Sequence, residues 1–241
     1  MTKVTPTGSC GTPDLTWTNC PHEMTAAFEP GLVSVVIPVR NRFDLLQQTL
    51  QSVYDQTYRP LEVIVMDGGS SEPIDPIIQR FSFPSDTGFT IVCVRLESLG
   101  APVARSRGCA FSRGEFIQFL DSDDVMTPNK IDAQVRALTI RQGGSTTQAV
   151  AYGPWRCLYT TVSWSRLGPP YQLEAMPSEE AMLLGYIAGH WFCPLHSYLF
   201  SRATVLAVGR WDSWLARGQD TDYLIRTLLA NVPFRFVPVG E

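Results

Sequence analysis

The sequence predicts an α/β fold, a mostly parallel sheet flanked by helices with a mixed C-terminal half, and two observations carry that prediction. Between Val33 and Leu120, short runs rich in β-branched and aromatic residues alternate with helical patterns in the order strand, helix, strand, helix, strand, helix, strand. The runs are also apolar on both faces, as strands covered by helices on both sides must be. Right-handed crossovers would assemble them into a Rossmann-like sheet.

Val33-Ser34-Val35-Val36-Ile37-Pro38-Val39 is the first strand. Asn41 is placed to cap the helix after it, with Asp44 completing a capping box and Leu45, Leu46, Thr49, Leu50 and Val53 as the inward stripe. Leu61–Met66 is the second strand, ended by Asp67-Gly68-Gly69-Ser70, and Pro73 and Pro76 keep the next helix short. Phe89–Leu96 forms the third strand and Ala101–Phe111 a helix bearing Arg105 and Arg107. The fourth strand, Phe116-Ile117-Gln118-Phe119-Leu120, runs into Asp121-Ser122-Asp123-Asp124. Beyond Pro128 the pattern loosens. It gives a helix over Lys130–Arg141, a loop over Gln142–Thr147, a strand region over Ala149–Tyr159 and a Pro/Gly-rich passage at Gly168-Pro169-Pro170. An aromatic loop at His190–Pro194 and a strand at Ser197–Ser201 follow. A helix opened by Gly218-Gln219-Asp220 carries Tyr223, Leu224, Thr227 and Leu228 inward, and a strand over Val232–Val239 closes the chain.

The 241 residues, 44% hydrophobic and 17% charged, describe a folded chain. Residues 1–31 lack periodicity and read as a mobile tail, 32–127 as a nucleotide-binding half and 128–241 as the second half of the same domain. A formal net charge of −4 argues against nucleic acid as partner. No run approaches the ~18 apolar residues of a membrane span, and the first thirty residues lack a signal-peptide core, so the chain reads as cytoplasmic or as a soluble piece of something larger. Six cysteines without CxxC spacing argue against a zinc site. Cys10, Cys20 and His22 fall in the tail.

Three carboxylates at a strand end are the strongest chemical signal, because ligands of open α/β sheets bind beyond the carboxyl ends of strands. If the chain stays extended there, Asp121 and Asp123 point to one side and Asp124 to the other. Paired hard oxygen ligands suit Mg²⁺ or Mn²⁺ bridging to a diphosphate. The competing reading is a helix N-terminus, with Pro128 opening the helix and the acids favoured by its dipole. Asp220 reads from the residues alone as a helix cap. His190 and Trp191 offer a polar-tipped surface for a sugar or hydroxylated acceptor, or equally a core contact.

Four landmarks, Ile37–Arg42, Val65–Ser70, Gly100–Gly108 and Leu120–Asp124, together with Gly218-Gln219-Asp220, resemble the family 2 glycosyltransferases of the GT-A fold. The resemblance covers about Leu32–Val239. It implies inverting transfer of a sugar from a nucleotide-diphospho-sugar donor to an acceptor hydroxyl, with Mn²⁺ or Mg²⁺ as cofactor. The acceptor could be a glycan, a lipid-linked sugar or a small molecule. By position, Pro38 and Arg40 match the turn against the nucleotide, and Asp67 the acid that reads the base. Asp121 matches the ribose or second-shell acid, Asp123 the direct metal ligand and Asp220 the general base. Arg105 or Arg107 would contact the phosphates. Arg40 stands where the family often has Tyr, Gly68 replaces a second Asp, Ser106 an Asn, and Gln219 the Glu before the base. No Q-x-x-R-W is present, so single addition is expected. A metal-dependent nucleotidyltransferase and a non-catalytic nucleotide-sugar-binding domain are the alternatives.

Overall fold

The computed structural model describes residues 24–82, 87–96, 100–139, 147–160, 165–171 and 174–239. The expected loop over Gln142–Thr147 lies outside them except for its last residue, as do the end of the Lys130–Arg141 helix and the three residues Cys10, Cys20 and His22. Nine strands are present among the described residues: β1 (Glu29–Val39), β2 (Leu61–Asp67), β3 (Phe89–Arg95), β4 (Gly114–Phe119), β5 (Val150–Tyr152), β6 (Trp155–Thr160), β7 (Ser165–Tyr171), β8 (Tyr198–Ser201) and β9 (Phe234–Phe236). The helices are α1 (Phe43–Tyr54), α2 (Asp75–Arg80), α3 (Gly100–Phe111), α4 (Lys130–Thr139), α5 (Glu179–Ala188), α6 (Arg202–Val208) and α7 (Gln219–Leu229).

Seven strands form one sheet in the order β3-β2-β1-β4-β8-β5-β9. The first four are parallel, in register Val39 to Asp67 and Val36 to Phe119. β8 runs antiparallel to both β4 and β5, and β9 lies parallel to β5. The carboxyl ends of β1, β2, β4 and β5 therefore share one rim with the segment that precedes β8. β1 shows why this stretch is a doubly covered strand. Val33, Val35 and Ile37 pack with Leu46 and Leu50 of α1 and Val135 of α4, whereas Val36 packs on the other face with Ala104 of α3 and Tyr223 of α7. Gly108 lets α3 lie against that second face, because a Cβ there would run into Val36.

Several expectations are corrected. β1 begins at Glu29, inside the segment assigned to the tail: the Glu29 amide donates to the Arg113 carbonyl at 2.8 Å, and the Glu29 carboxylate pairs with Arg113 at 2.7 Å. Asn41 does not cap α1. It takes a left-handed conformation (φ 55°), which Asn tolerates better than most residues, and the helix starts after Arg42 with no side-chain cap. Leu45 faces solvent. The Pro/Gly-rich passage is strand β7 of a two-stranded ribbon with β6, where prolines are admissible because an edge strand leaves N–H positions unused. The single strand expected over Ala149–Tyr159 is split between the main sheet and that ribbon. Two helices went unforeseen. α5 is capped by Ser178 and α6 by Ser201, each hydroxyl accepting an amide N–H three residues on, but both helices are short and weakly patterned in sequence.

Candidate active site

A cleft of about 390 Å³ opens at the carboxyl rim. It is lined by Pro38 and Val39 at the end of β1, Arg40 and Arg42 after it, Gly68 after β2, four residues of α3 including Arg105, and Asp121, Ser122 and Asp123 after β4. The turn after β1 is clipped to the turn after β2. Asn41 Oδ1 accepts from the Ser71 amide at 2.8 Å, and the Asn41 amide donates to Ser70 Oγ at 3.0 Å. Asp67 is buried, with Oδ1 accepting from the Ser70 amide at 2.8 Å and Oδ2 4.0 Å from Arg95 Nε. That carboxylate shapes the turn, and Gly68 is the residue that reaches the cleft wall.

The acids after β4 do not alternate. β4 ends at Phe119 and the chain turns, the Asp124 amide donating to the Asp121 carbonyl at 3.1 Å, so the premise of an extended chain fails. The helix-terminus reading fails too, since α4 begins only at Lys130. Each carboxylate instead meets its own basic partner: Asp121 Oδ1 accepts from Arg105 Nη2 at 2.6 Å, Asp123 pairs with Arg42, and Asp124 Oδ2 lies 2.8 Å from His196 Nδ1. Mutual repulsion is thus relieved by side chains of the protein itself.

Arg105 is the hub. Only 3% exposed, it also sets Nη1 3.3 Å from Asp220 Oδ1 and 3.2 Å from Gln219 Oε1. Its guanidinium lies 4.7 Å from the centroid of the Trp211 ring, which stacks on Tyr223 at 4.2 Å and 7°. Asp220 occupies the first turn of α7 after Gly218, whose φ of 70° suits glycine, and no side chain caps this helix. The expected capping role is therefore absent. Burial raises the Asp220 carboxyl above the ordinary aspartate range. Arg105 opposes that shift, Asp121 and Asp124 add to it, and His196 opposes it.

Arg107 does not line the cleft, so of the two candidate arginines only Arg105 reaches it. His190 is exposed in the loop after α5. Trp191 is a core contact, its ring edge-on to Tyr186 at 4.7 Å and to Tyr152 at 6.4 Å. Sequence reasoning missed Arg42, His196 and Trp211. The turn that carries Arg42 was legible, but pairings between chain-distant residues leave no periodic signal. His196 is held from behind. Its carbonyl accepts from Gln118 Nε2 at 3.1 Å and the Ser197 carbonyl accepts from Gln134 Nε2 at 2.8 Å, while buried Lys130 donates to both glutamines. Burial pushes the Cys93 and Cys109 thiols up to about 12, which removes either as a ready nucleophile.

A family model described as glycosyl transferase family 2 matches residues 34–188. The chain belongs to glycosyl transferase family 2. An uncharacterized glycosyltransferase of Haemophilus influenzae is 25% identical over 198 residues, covering 82% of this family 2 chain and 62% of the relative. S. aureus TarS 1-349 in complex with UDP-GlcNAc superimposes with a TM-score of 0.63 at 16% identity, over 87% of this chain and 59% of that one. The mannosyltransferase PcManGT from Pyrobaculum calidifontis, in complex with GDP-Man and Mn²⁺, gives 0.59 at 14% identity over 91% and 59%. The family 2 chain thus has the GT-A fold. It spans 14%, 62% and 43% of the length of three curated relatives that it matches. No helix among the described residues is long and apolar enough to cross a membrane.

Proposed function

We propose that this chain transfers a glycosyl group from a nucleotide-diphospho-sugar to an acceptor hydroxyl with inversion, one unit per encounter, with Asp220 as general base. The observation that carries the reading is the double pairing of Arg105. It brings Asp121, from the middle of the chain, and Asp220, from its end, to one guanidinium at the mouth of the cleft. Asp220 removes the acceptor proton as the acceptor oxygen bonds to the anomeric carbon. The bond from that carbon to the diphosphate breaks on the opposite face, its electron pair leaving with the phosphate oxygen. A base raised above the usual aspartate range by burial accepts that proton more readily than an exposed carboxylate would. Arg105 and Arg42 can meet the diphosphate with charge-assisted hydrogen bonds, and Pro38, Arg40 and Gly68 form the wall against the nucleoside.

The donor set also fits Mn²⁺ or Mg²⁺. Among the described residues no group of three His, Cys, Asp or Glu side chains converges to hold a cation, and Asp123 and Asp121, which line the cleft, are the carboxylates that would hold one. A hard cation held by one or two carboxylates takes its remaining ligands from phosphate and water. Such a cation, when bound, supplies stabilisation of the leaving diphosphate. The nucleotide sugars named for the TarS and PcManGT complexes support this donor class, and the Mn²⁺ named for PcManGT supports the cation. A panel of nucleotide sugars scored by thermal shift with and without Mn²⁺, followed by an assay of donor turnover, tests the proposal. A metal-dependent rise in melting temperature with at least one donor, and its turnover, is expected. A panel without any stabilising donor would overturn it.

A further inference from the structure

An aromatic cluster stands on the same rim, on the side away from the nucleotide turns. Trp155 and Tyr171 are cross-strand neighbours in the β6–β7 ribbon and stack with centroids 4.5 Å apart and planes 20° from parallel. Phe192 meets Trp155 edge-on at 5.8 Å. Rings ordered by one another in this way are usually covered, yet Phe192 and Tyr171 remain 56% and 42% exposed. The neighbouring aromatics Tyr152, Tyr186 and Tyr198, by contrast, are buried in the core. Trp155 Nε1 has no acceptor among the described residues, so the cluster also carries an unmet donor.

The cluster is continuous with the candidate active site. The ribbon leaves the sheet after Tyr152, at the carboxyl end of β5, on the rim that carries the acids. Phe192 precedes Cys193, whose carbonyl accepts from the Tyr186 hydroxyl at 3.4 Å, and Tyr186 packs in the same buried cluster as Tyr223 and Leu224 of α7, the helix that carries Asp220. Four residues after Phe192, His196 holds Asp124, and four residues reach at most ~14 Å. A row of polar groups at Asp220 and His196 thus gives way, within a short span, to exposed aromatic side chains.

We propose that Phe192 and the Trp155–Tyr171 pair form a saccharide subsite of the acceptor. They would take the apolar C–H face of a sugar ring one or more units away from the hydroxyl that Asp220 deprotonates. The acceptor is then an oligosaccharide or glycan chain. The chemistry matches: a sugar ring presents C–H bonds on one face and hydroxyls around its edge, and pre-oriented aromatic rings with polar neighbours satisfy both. An acyl chain would call for an enclosed aliphatic groove, which these open rings do not make. This inference rests on the reading of Asp220 as the base.

The test uses the whole chain against a printed array of mono- to hexasaccharides, then titration calorimetry with the best free oligosaccharide and its monosaccharide unit, in the presence of a nucleoside diphosphate. The wild type is expected to bind the oligosaccharide about tenfold tighter than the monosaccharide, the scale of one aromatic contact. Phe192→Ala should erase that advantage with nucleoside diphosphate affinity and melting temperature unchanged, and Phe192→Tyr should restore it. Equal affinity of the wild type for short and long saccharides would overturn the proposal. So would oligosaccharide binding unchanged in both Phe192→Ala and Tyr171→Ala, or a dimer, seen by light scattering, that Phe192→Ala dissociates. Failure of donor turnover is scored separately in the nucleotide-sugar panel, so it speaks against the base assignment and leaves the saccharide arm readable.

Discussion

Replacing Arg105 by Met keeps an apolar stem over Trp211 and removes the charge shared by Asp121 and Asp220. Arg105 Nη1 stands 3.3 Å from Asp220 Oδ1 and Nη2 2.6 Å from Asp121 Oδ1. An opposite charge at such range commonly lowers a carboxylate pKa by ~1–3 units. The Asp220 side chain is 33% exposed, so water screens part of the effect. The sign follows from the causes. Burial already raises the Asp220 carboxyl, Arg105 opposes it, and Asp121 and Asp124 push the same way as burial. Without Arg105 the carboxyl rises further. The base works ionised, so the acid limb of kcat moves to higher pH by about one unit, and well below that limb the variant runs about tenfold slower. At pH values above both limbs the two proteins should converge, once donor is saturating enough to offset a lost phosphate contact. Arg105→Lys, which restores charge but cannot fork to two carboxylates, should give an intermediate limb. The assay is kcat against pH from about 4 to 9, with a melting curve for each protein. An acid limb at the same pH in wild type and Arg105→Met, with matching melting curves, would refute the electrostatic reasoning.

Other outcomes are expected. Asp220→Asn should lower single-turnover transfer on the order of 10²- to 10⁴-fold. It should leave the melting curve in place, because Asp220 caps nothing; a wild-type rate would rule it out as base. Asp123→Ala should remove the Mn²⁺-dependent part of nucleoside diphosphate binding in calorimetry, and equal affinities with and without the side chain would sink its role as ligand. Gly108→Ala should cost at least about 1–3 kcal/mol in denaturant unfolding, since α3 must move off Val36. Burial holds the Lys130 amine well below its usual range, so the unfolded chain binds a proton that the folded chain has released. Stability from this group therefore rises with pH between the folded value and about 10.4, and Lys130→Met should flatten that slope in unfolding titrations. Deleting residues 1–23 should leave turnover within a factor of about three. Deletion through Pro30 should lower the melting temperature, because it removes the Glu29–Arg113 pair and the Thr25 carbonyl that accepts from Arg202 at 2.8 Å.

The parallel half of the fold was legible because doubly covered strands have a blunt signature: Val33–Val39 and Leu61–Met66 are apolar on both faces and need no partner information to be seen. The residues around the cleft were legible for a related reason, since Pro38, Arg40, Arg105, Asp121 and Asp123 all sit where an apolar run stops or a helix faces the rim. Orientation was not. Whether Asp123 meets Asp121 or Arg42 depends on one turn after Phe119, and local composition cannot distinguish a turn from two more extended residues. The C-terminal half was harder because its elements are short and mixed in direction. β8 contributes its amino end to the rim, so His196 precedes its strand where Arg42, Gly68 and Asp121 follow theirs.

The seat of Arg105 has a consequence for exchange between relatives. The arginine belongs to the first half of the chain, but the rings beneath it, Trp211 and Tyr223, belong to the second half, and Phe119 of β4 packs edge-on against both. A chimera joined near Thr127 would therefore separate a guanidinium from its aromatic bed, however well each parent's strands matched. The two halves are not cassettes in this architecture. Any transplant of one has to carry α3 together with the segment from Trp211 to Tyr223, as a single inherited block.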